Sequence, residues 1–148
     1  IIRRLIVIAY EDIGLANPQI GMRVYLGCEA ALKVGLPEAR IILSNLVIDM
    51  AISPKSNTAY LAIDNALKDF EEIDTGVLPD HAVNRKIKQN PSIYKYPHND
   101  KDSINNQSYL PDKIMEKSYY IPKTESTYEK ALSDRLKLID KIKNKSNR

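Results

Sequence analysis

The chain has 148 residues, of which 43% are hydrophobic and 28% charged, and its formal net charge is +3. These figures fit one compact domain with a modest core and exclude a disordered tail, and no apolar run reaches the roughly eighteen residues that a membrane span needs. The single cysteine, Cys28, rules out an internal disulfide, and Arg3-Arg4 before a short apolar stretch does not make a signal peptide.

The chain opens Ile1-Ile2-Arg3-Arg4, without a Met and already inside a helical stripe, and so reads as a piece of a longer protein. Ile2, Leu5, Ile6 and Ala9 form that stripe, and Gly14 interrupts it. Asn17 is placed to cap a second helix with Pro18 at its first position. Ile20, Val24, Cys28, Ala31 and Leu32 then share one face of that helix, Gly27 admits a close neighbour, and Gly35 ends it. Pro37-Glu38 opens a third helix, whose stretch Ile41 to Ile52 is apolar nearly all round and predicts a central, buried element. A turn over Ser53-Pro54-Lys55-Ser56-Asn57 leads to a fourth helix expected to bury Tyr60, Ile63, Ala66, Leu67 and Phe70.

From residue 73 to 123 the pattern changes. Pro79, Pro91, Pro97, Pro111 and Pro122 break any helical stripe, while Tyr94, Tyr96, Tyr109, Tyr119 and Tyr120 supply apolar surface that must pack. This predicts an ordered, irregular segment wrapped over a helical core of residues 1–72, with extended pieces at Tyr94–Tyr96 and Ser118–Ile121. A final helix over 124–143 follows. Ser126-Thr127-Tyr128-Glu129 reads as a capping box, Tyr128, Leu132, Leu136, Ile139 and Ile142 as its stripe, and Lys143 to Arg148 as a fraying tail. The fold class is mainly α, in a single domain.

The residues offer little chemistry. Five glycines, none in a phosphate-loop setting, leave no nucleotide site of that kind. His81, His98 and Cys28 lack zinc-type spacing, and no metal or cofactor site is expected in this chain. A thiol hydrolase built from Cys28 with His81 or His98 needs an ionised thiol, which a core-facing helical position disfavours. Charge leaves two readings open. Residues 1–80 carry 7 basic and 11 acidic side chains, and residues 81–148 carry 15 and 8, which fits either a polyanion partner or a lysine-rich solvated surface. Within the basic half, Arg85, Lys86 and Lys88 precede Tyr94-Lys95-Tyr96-Pro97-His98. Aromatic rings there can stack on bases while Lys and Arg meet phosphates, or the tyrosines can staple the segment down.

Several segments resemble, in order, the C-terminal region of the replication-associated recombination protein A (RarA/MgsA) family of AAA+ ATPases, whose eukaryotic relatives are the Werner-helicase-interacting ATPases. They are Arg3 to Ala9 with Glu11 to Ala16, Gly35 to Arg40, Pro54 to Tyr60, Tyr94 to His98, Gln107 to Asp112, and Tyr119 to Pro122 with Tyr128-Glu129. Tyr10, the basic stretch 82–93 and Thr127 depart from that pattern. The resemblance implies a helical domain related to the clamp-loader collar, following an ATPase module outside this chain that holds ATP and Mg. It implies a homotetramer, action at replication forks in recombination and repair, DNA and single-strand-binding protein as partners, and a bacterial cytoplasmic, nucleoid-associated location. No catalytic residue carries over. Leu5, Val24, Leu46, Val47 and Tyr60 are expected in the core or at an interface, and Arg85, Lys86, Lys88, Tyr94, Lys95 and Tyr96 at a nucleic-acid surface.

Overall fold

A computed structural model describes residues 1–145, and Ser146 to Arg148 of the expected fraying tail lie outside the described residues. The described residues form α-helices, 3-10 turns and one π turn, with no strand among them. The helices are α1 (Ile2–Ile8), α2 (Gln19–Val34), α3 (Ala39–Ile52), α4 (Thr58–Glu72), α5 (Asn84–Gln89) and α6 (Thr127–Lys145). The chain divides into two compact units: Ile1–Asp64 with Tyr119–Ser133, and Asn65–Ser118 with the chain from Asp134 on.

In the first unit, Ile20, Val24, Cys28 and Ala31 fall at helical steps along α2 and are buried, the first three clustering with Leu46 and Met50 of α3. Ala9 and Ile13 complete this core, with Leu5 and Ile6 packed against it. Each large side chain so buried contributes about 2 kcal/mol. Gly27 makes the helix contact possible. A Cβ there would stand 2.6 Å from a methyl of Leu46, so α3 sits directly on the α2 backbone. Likewise the Tyr10 ring lies over Gly21, where a Cβ would meet it at 2.4 Å.

The boundaries follow from local chemistry. Gly14 takes φ 45° after the π turn Ala9–Ile13, and a Cβ on it would lie 2.8 Å from the Ser56 carbonyl. The Ser56 N–H donates to the Asp12 carbonyl at 2.8 Å across the same approach. Gly35 ends α2 at φ 74°, as its position predicts. Lys55 Nζ donates to the Met50 and Ser53 carbonyls, each at 2.7 Å, and places a cation on the negative end of α3. Asn17 does not cap α2: its amide donates to Ser53 Oγ at 3.3 Å, and α2 starts at Gln19.

Among the buried polar residues, which include Ser56, Thr58 and Ser126, Glu129 carries a charge and is fully buried at 0% exposure. It accepts from the Thr58 hydroxyl at 2.5 Å, from the Lys123 N–H at 3.1 Å and from the Tyr120 hydroxyl at 3.4 Å. Half of the capping box forms, with the Glu129 N–H donating to Ser126 Oγ at 3.2 Å, but the carboxylate turns to Thr58 and Lys123. Thr58 is the first residue of α4 and Glu129 lies in the first turn of α6, so one buried charge sits at the positive ends of two helices. Burial pushes its pKa up. Hydrogen bonds from Ser56, Thr58, Lys123 and Tyr120 more than offset that and hold the carboxyl below the usual range.

The second unit is ordered mainly by side chains bonding to backbone. His81 Nε2 lies 2.5 Å from the Ser108 carbonyl, and its ring meets Tyr109 edge-on at 5.6 Å. Gln107 Nε2 donates to the Ile93 carbonyl at 2.9 Å and its Oε1 accepts from the Lys95 N–H at 3.1 Å. Asp69 pairs with Lys117 at 3.0 Å, Asp74 pairs with Lys113, and Pro111 and Ile114 are buried. Between residues 73 and 118 the described elements are the short helix α5 and 3-10 turns, so the expected irregular stretch carries more helix than its prolines suggest, and Tyr94 and Tyr96 take extended backbone angles as expected.

A candidate assembly surface

The two helices that make the core also expose a second apolar face. On α2, Met22, Tyr25 and Leu26 lie opposite Val24 and Cys28 and are 52–59% exposed. On α3, Ile41, Val47, Ile48 and Ile52 are exposed while Leu46 and Met50 point inward. The all-round apolar character of α3 therefore does not mark a central helix. One face meets α2, and the other lies at the surface of its unit. Leu32, one turn beyond Cys28 near the end of α2, is 64% exposed and lies outside the buried stripe it was expected to share.

Grooves open at separate places on the surface of this unit. One is lined by Leu26, Leu46, Ile48 and Ile52 together with Arg23 and Asp49, whose side chains pair across α2 and α3 at 2.8 Å. A second is lined by Ile2, Ala31, Leu32, Leu36, Ala39 and Leu43, almost entirely apolar. A third brings Leu5 beside Val47 and Met50. Where exposed apolar residues join into a large patch, they mark an interaction site rather than ordinary surface.

The structure separates residues that the sequence could not. Val24 and Leu46 are core, Leu5 is half-buried at the core margin, and Val47 and Tyr60 face outward. Hydrogen bonding to Asp64 and that carboxylate's charge hold the Tyr60 phenol above its usual range, with a further push from Glu11. Helix α4 corrects another expectation: Ile63, Leu67 and Phe70 are exposed rather than buried, and Thr58 is the residue its first turn buries. In α6, Tyr128 is exposed, and Glu129 and Ser133 take the inward positions.

Cys28 is 1% exposed, and burial, helped by the charge of Glu29, pushes its thiol up and keeps it protonated. His81 and His98 are engaged with Ser108 and Ser103. Among the described residues no three His, Cys, Asp or Glu side chains gather as a metal site, and no helix is long and apolar enough to cross a membrane. Of the basic candidates, Arg85, Lys88, Lys95 and Tyr96 are exposed. Lys86 is paired with Asp80, and Tyr94 is half-buried with its hydroxyl engaged by Tyr109.

The stripe carrying Val24 does not by itself reveal the outer residues of α2. Met22, Tyr25 and Leu26 make a second stripe at the same spacing. Gln107 left no signal, since its role depends on which carbonyls it meets.

Residues 1–140 match the family described as "MgsA AAA+ ATPase C terminal". The chain is 49% identical over 137 residues to replication-associated recombination protein A of Bacillus subtilis, a match covering 89% of this chain and 32% of that protein. An uncharacterised AAA domain-containing protein of Mycobacterium tuberculosis is 33% identical over 127 residues, covering 82% and 28% respectively. Replication-associated recombination protein A of Escherichia coli K12 is 29% identical over 126 residues, covering 81% and 28%. The chain thus spans about a third of the length of these relatives.

Proposed function

The chain belongs to the C-terminal family of MgsA AAA+ ATPases, and from that premise we propose that it is a non-catalytic assembly domain holding four copies of a larger ATPase together. The observation that carries this reading is the outer face of α2 and α3. Two adjacent helices expose Tyr25, Leu26, Val47, Ile48 and Ile52 while their inner faces already fill the core. A second copy of the same surface covers such a face, and the four-fold count rests on the family resemblance. The paired Arg23 and Asp49 sit among those apolar groups and fix which orientation of the partner leaves both charges satisfied.

ATP and Mg binding then belong to the part of the relatives that this chain does not match, in keeping with the lack of a phosphate loop here. The relatives' name, replication-associated recombination protein A, supports a role for the whole protein in replication-fork maintenance, recombination and repair. DNA and single-strand-binding protein are the partners, in a bacterial cytoplasmic, nucleoid-associated setting. The clamp-loader collar is the kindred architecture in this reading.

Light scattering across a hundredfold concentration range tests the assembly role. A mass near four times 16.8 kDa is the expected result, and a monomer throughout removes it.

A further inference from the structure

Arg23 and Asp49 are the charged side chains lining the groove that also holds Leu26, Ile48 and Ile52. They pair at 2.8 Å, with the Arg23 side chain 57% and the Asp49 side chain 26% exposed. An ion pair so open to water adds little to the stability of its own chain. Its place among exposed apolar groups therefore has no task inside the fold.

The two charges stand on different helices, and α2 and α3 run antiparallel. Arg23 meets Asp49, and Gly27, one turn further along α2, meets Leu46, earlier on α3. The line from cation to anion thus crosses from one helix to the other. A second copy related by a two-fold axis presents the same pair turned about that axis. When the axis lies along the groove between the helices, each Arg23 comes over the partner's Asp49, and the four charges alternate in sign. When the axis lies across the groove, Arg23 meets Arg23 and Asp49 meets Asp49, and the like charges repel. The first arrangement covers the apolar side chains and leaves every charge beside its opposite.

We propose that Arg23 and Asp49 set the register of self-association: the outer face of α2 and α3 meets the same face of a second copy about a two-fold axis along the groove, so that α2 of each copy rests on α3 of the other. This rests on the assembly reading above and adds to it the orientation of the contact and the residues that select it. A face that meets itself closes at two copies, and such pairs are the unit from which the larger assembly is built. The charges select by exclusion as well as attraction, since another register leaves a charge unmatched among apolar groups.

The test makes Arg23→Asp and Asp49→Arg separately in the 148-residue chain and weighs each by light scattering, alone and mixed one to one, with circular dichroism in parallel. Each variant alone brings four like charges together and is expected at 16.8 kDa with the helical spectrum kept. The mixture sets an all-acidic pair against an all-basic one and is expected to recover the native mass, which misfolded chains do not do. Cysteine cross-linking reads the axis: on oxidation, Leu26→Cys chains link to Asn45→Cys chains, and Leu26→Cys chains do not link to one another. A native chain that stays monomeric overturns the assembly reading and this inference together. A native assembly that keeps its mass under both reversals, a mixture that stays monomeric, or linking of Leu26→Cys chains to one another overturns this inference alone.

Discussion

The Glu129 clasp and the outer face of α2–α3 invert the usual partition of a folded chain in opposite senses. At one, a charge lies at 0% exposure; at the other, Ile48 and Ile52 stand 60% and 79% exposed. The clasp is explained from within its unit at one oxygen: Thr58, Tyr120 and the Lys123 N–H all donate to Oε1, while the buried Oε2 has no hydrogen-bond partner among the described residues. Nothing within the first unit explains the outer face in the same way. A buried charge can be satisfied by its own chain, whereas an exposed apolar face points to another molecule.

Breaking the clasp should give the largest effect on folding. Glu129→Ala removes the acceptor of the Lys123 N–H and leaves the buried Thr58 hydroxyl only Ser56 Oγ at 3.1 Å, and a loss of about 3 kcal/mol is expected in urea unfolding. A loss below about 1 kcal/mol would mean that the carboxylate is dispensable. Gly14→Ala attacks the same joint from the backbone side, through φ 45° and the 2.8 Å approach to Ser56. It should cost about 2 kcal/mol, and an unchanged midpoint would show that the π turn can relax.

A smaller effect comes from pH. The Glu129 carboxyl is held below its ordinary value, so the folded state binds a proton less readily than the unfolded one. Its contribution is present above the unfolded value and is lost as pH falls through the lowered folded value. Stability measured from pH 6 downward should decline in the native chain, and the Glu129→Gln variant should lack that component. Identical pH profiles for the two would remove the charge from the account. The outer face closes the series: Leu26→Ser and Ile48→Ser should each change the stability of the isolated fold by less than about 0.5 kcal/mol, because neither side chain is packed within its own unit. A loss above 1 kcal/mol would place these side chains among the groups that hold the unit together.

Much of this was legible in the sequence. Val24 and Cys28 on one stripe, Gly27 as the point of close approach, Gly35 as a stop and the mainly α class are all features of local periodicity and backbone freedom. The outer face was half legible: α3 showed more apolar surface than a small core needs, but periodicity alone could not tell a central helix from one with a face left over. Tyr60, Ile63, Leu67 and Phe70 form an amphipathic stripe whether or not anything within the chain covers it, which is why α4 was expected to be buried. Glu129 was read as a capping partner because Ser126 lies three residues away. Its true acceptor role depends on Thr58, 71 positions distant, and no local pattern carries that. Lys86 and Tyr94 looked like Lys88 and Tyr96 until Asp80 and Tyr109 were placed beside them.

The most direct test of the central claim compares the native chain with a Leu26→Glu/Ile48→Glu variant by light scattering at one concentration, with circular dichroism run in parallel. The account predicts a native mass near four times 16.8 kDa, a variant mass of 16.8 kDa, and the same helical spectrum for both. Equal masses with equal spectra would show that the outer face of α2 and α3 does not hold the copies together.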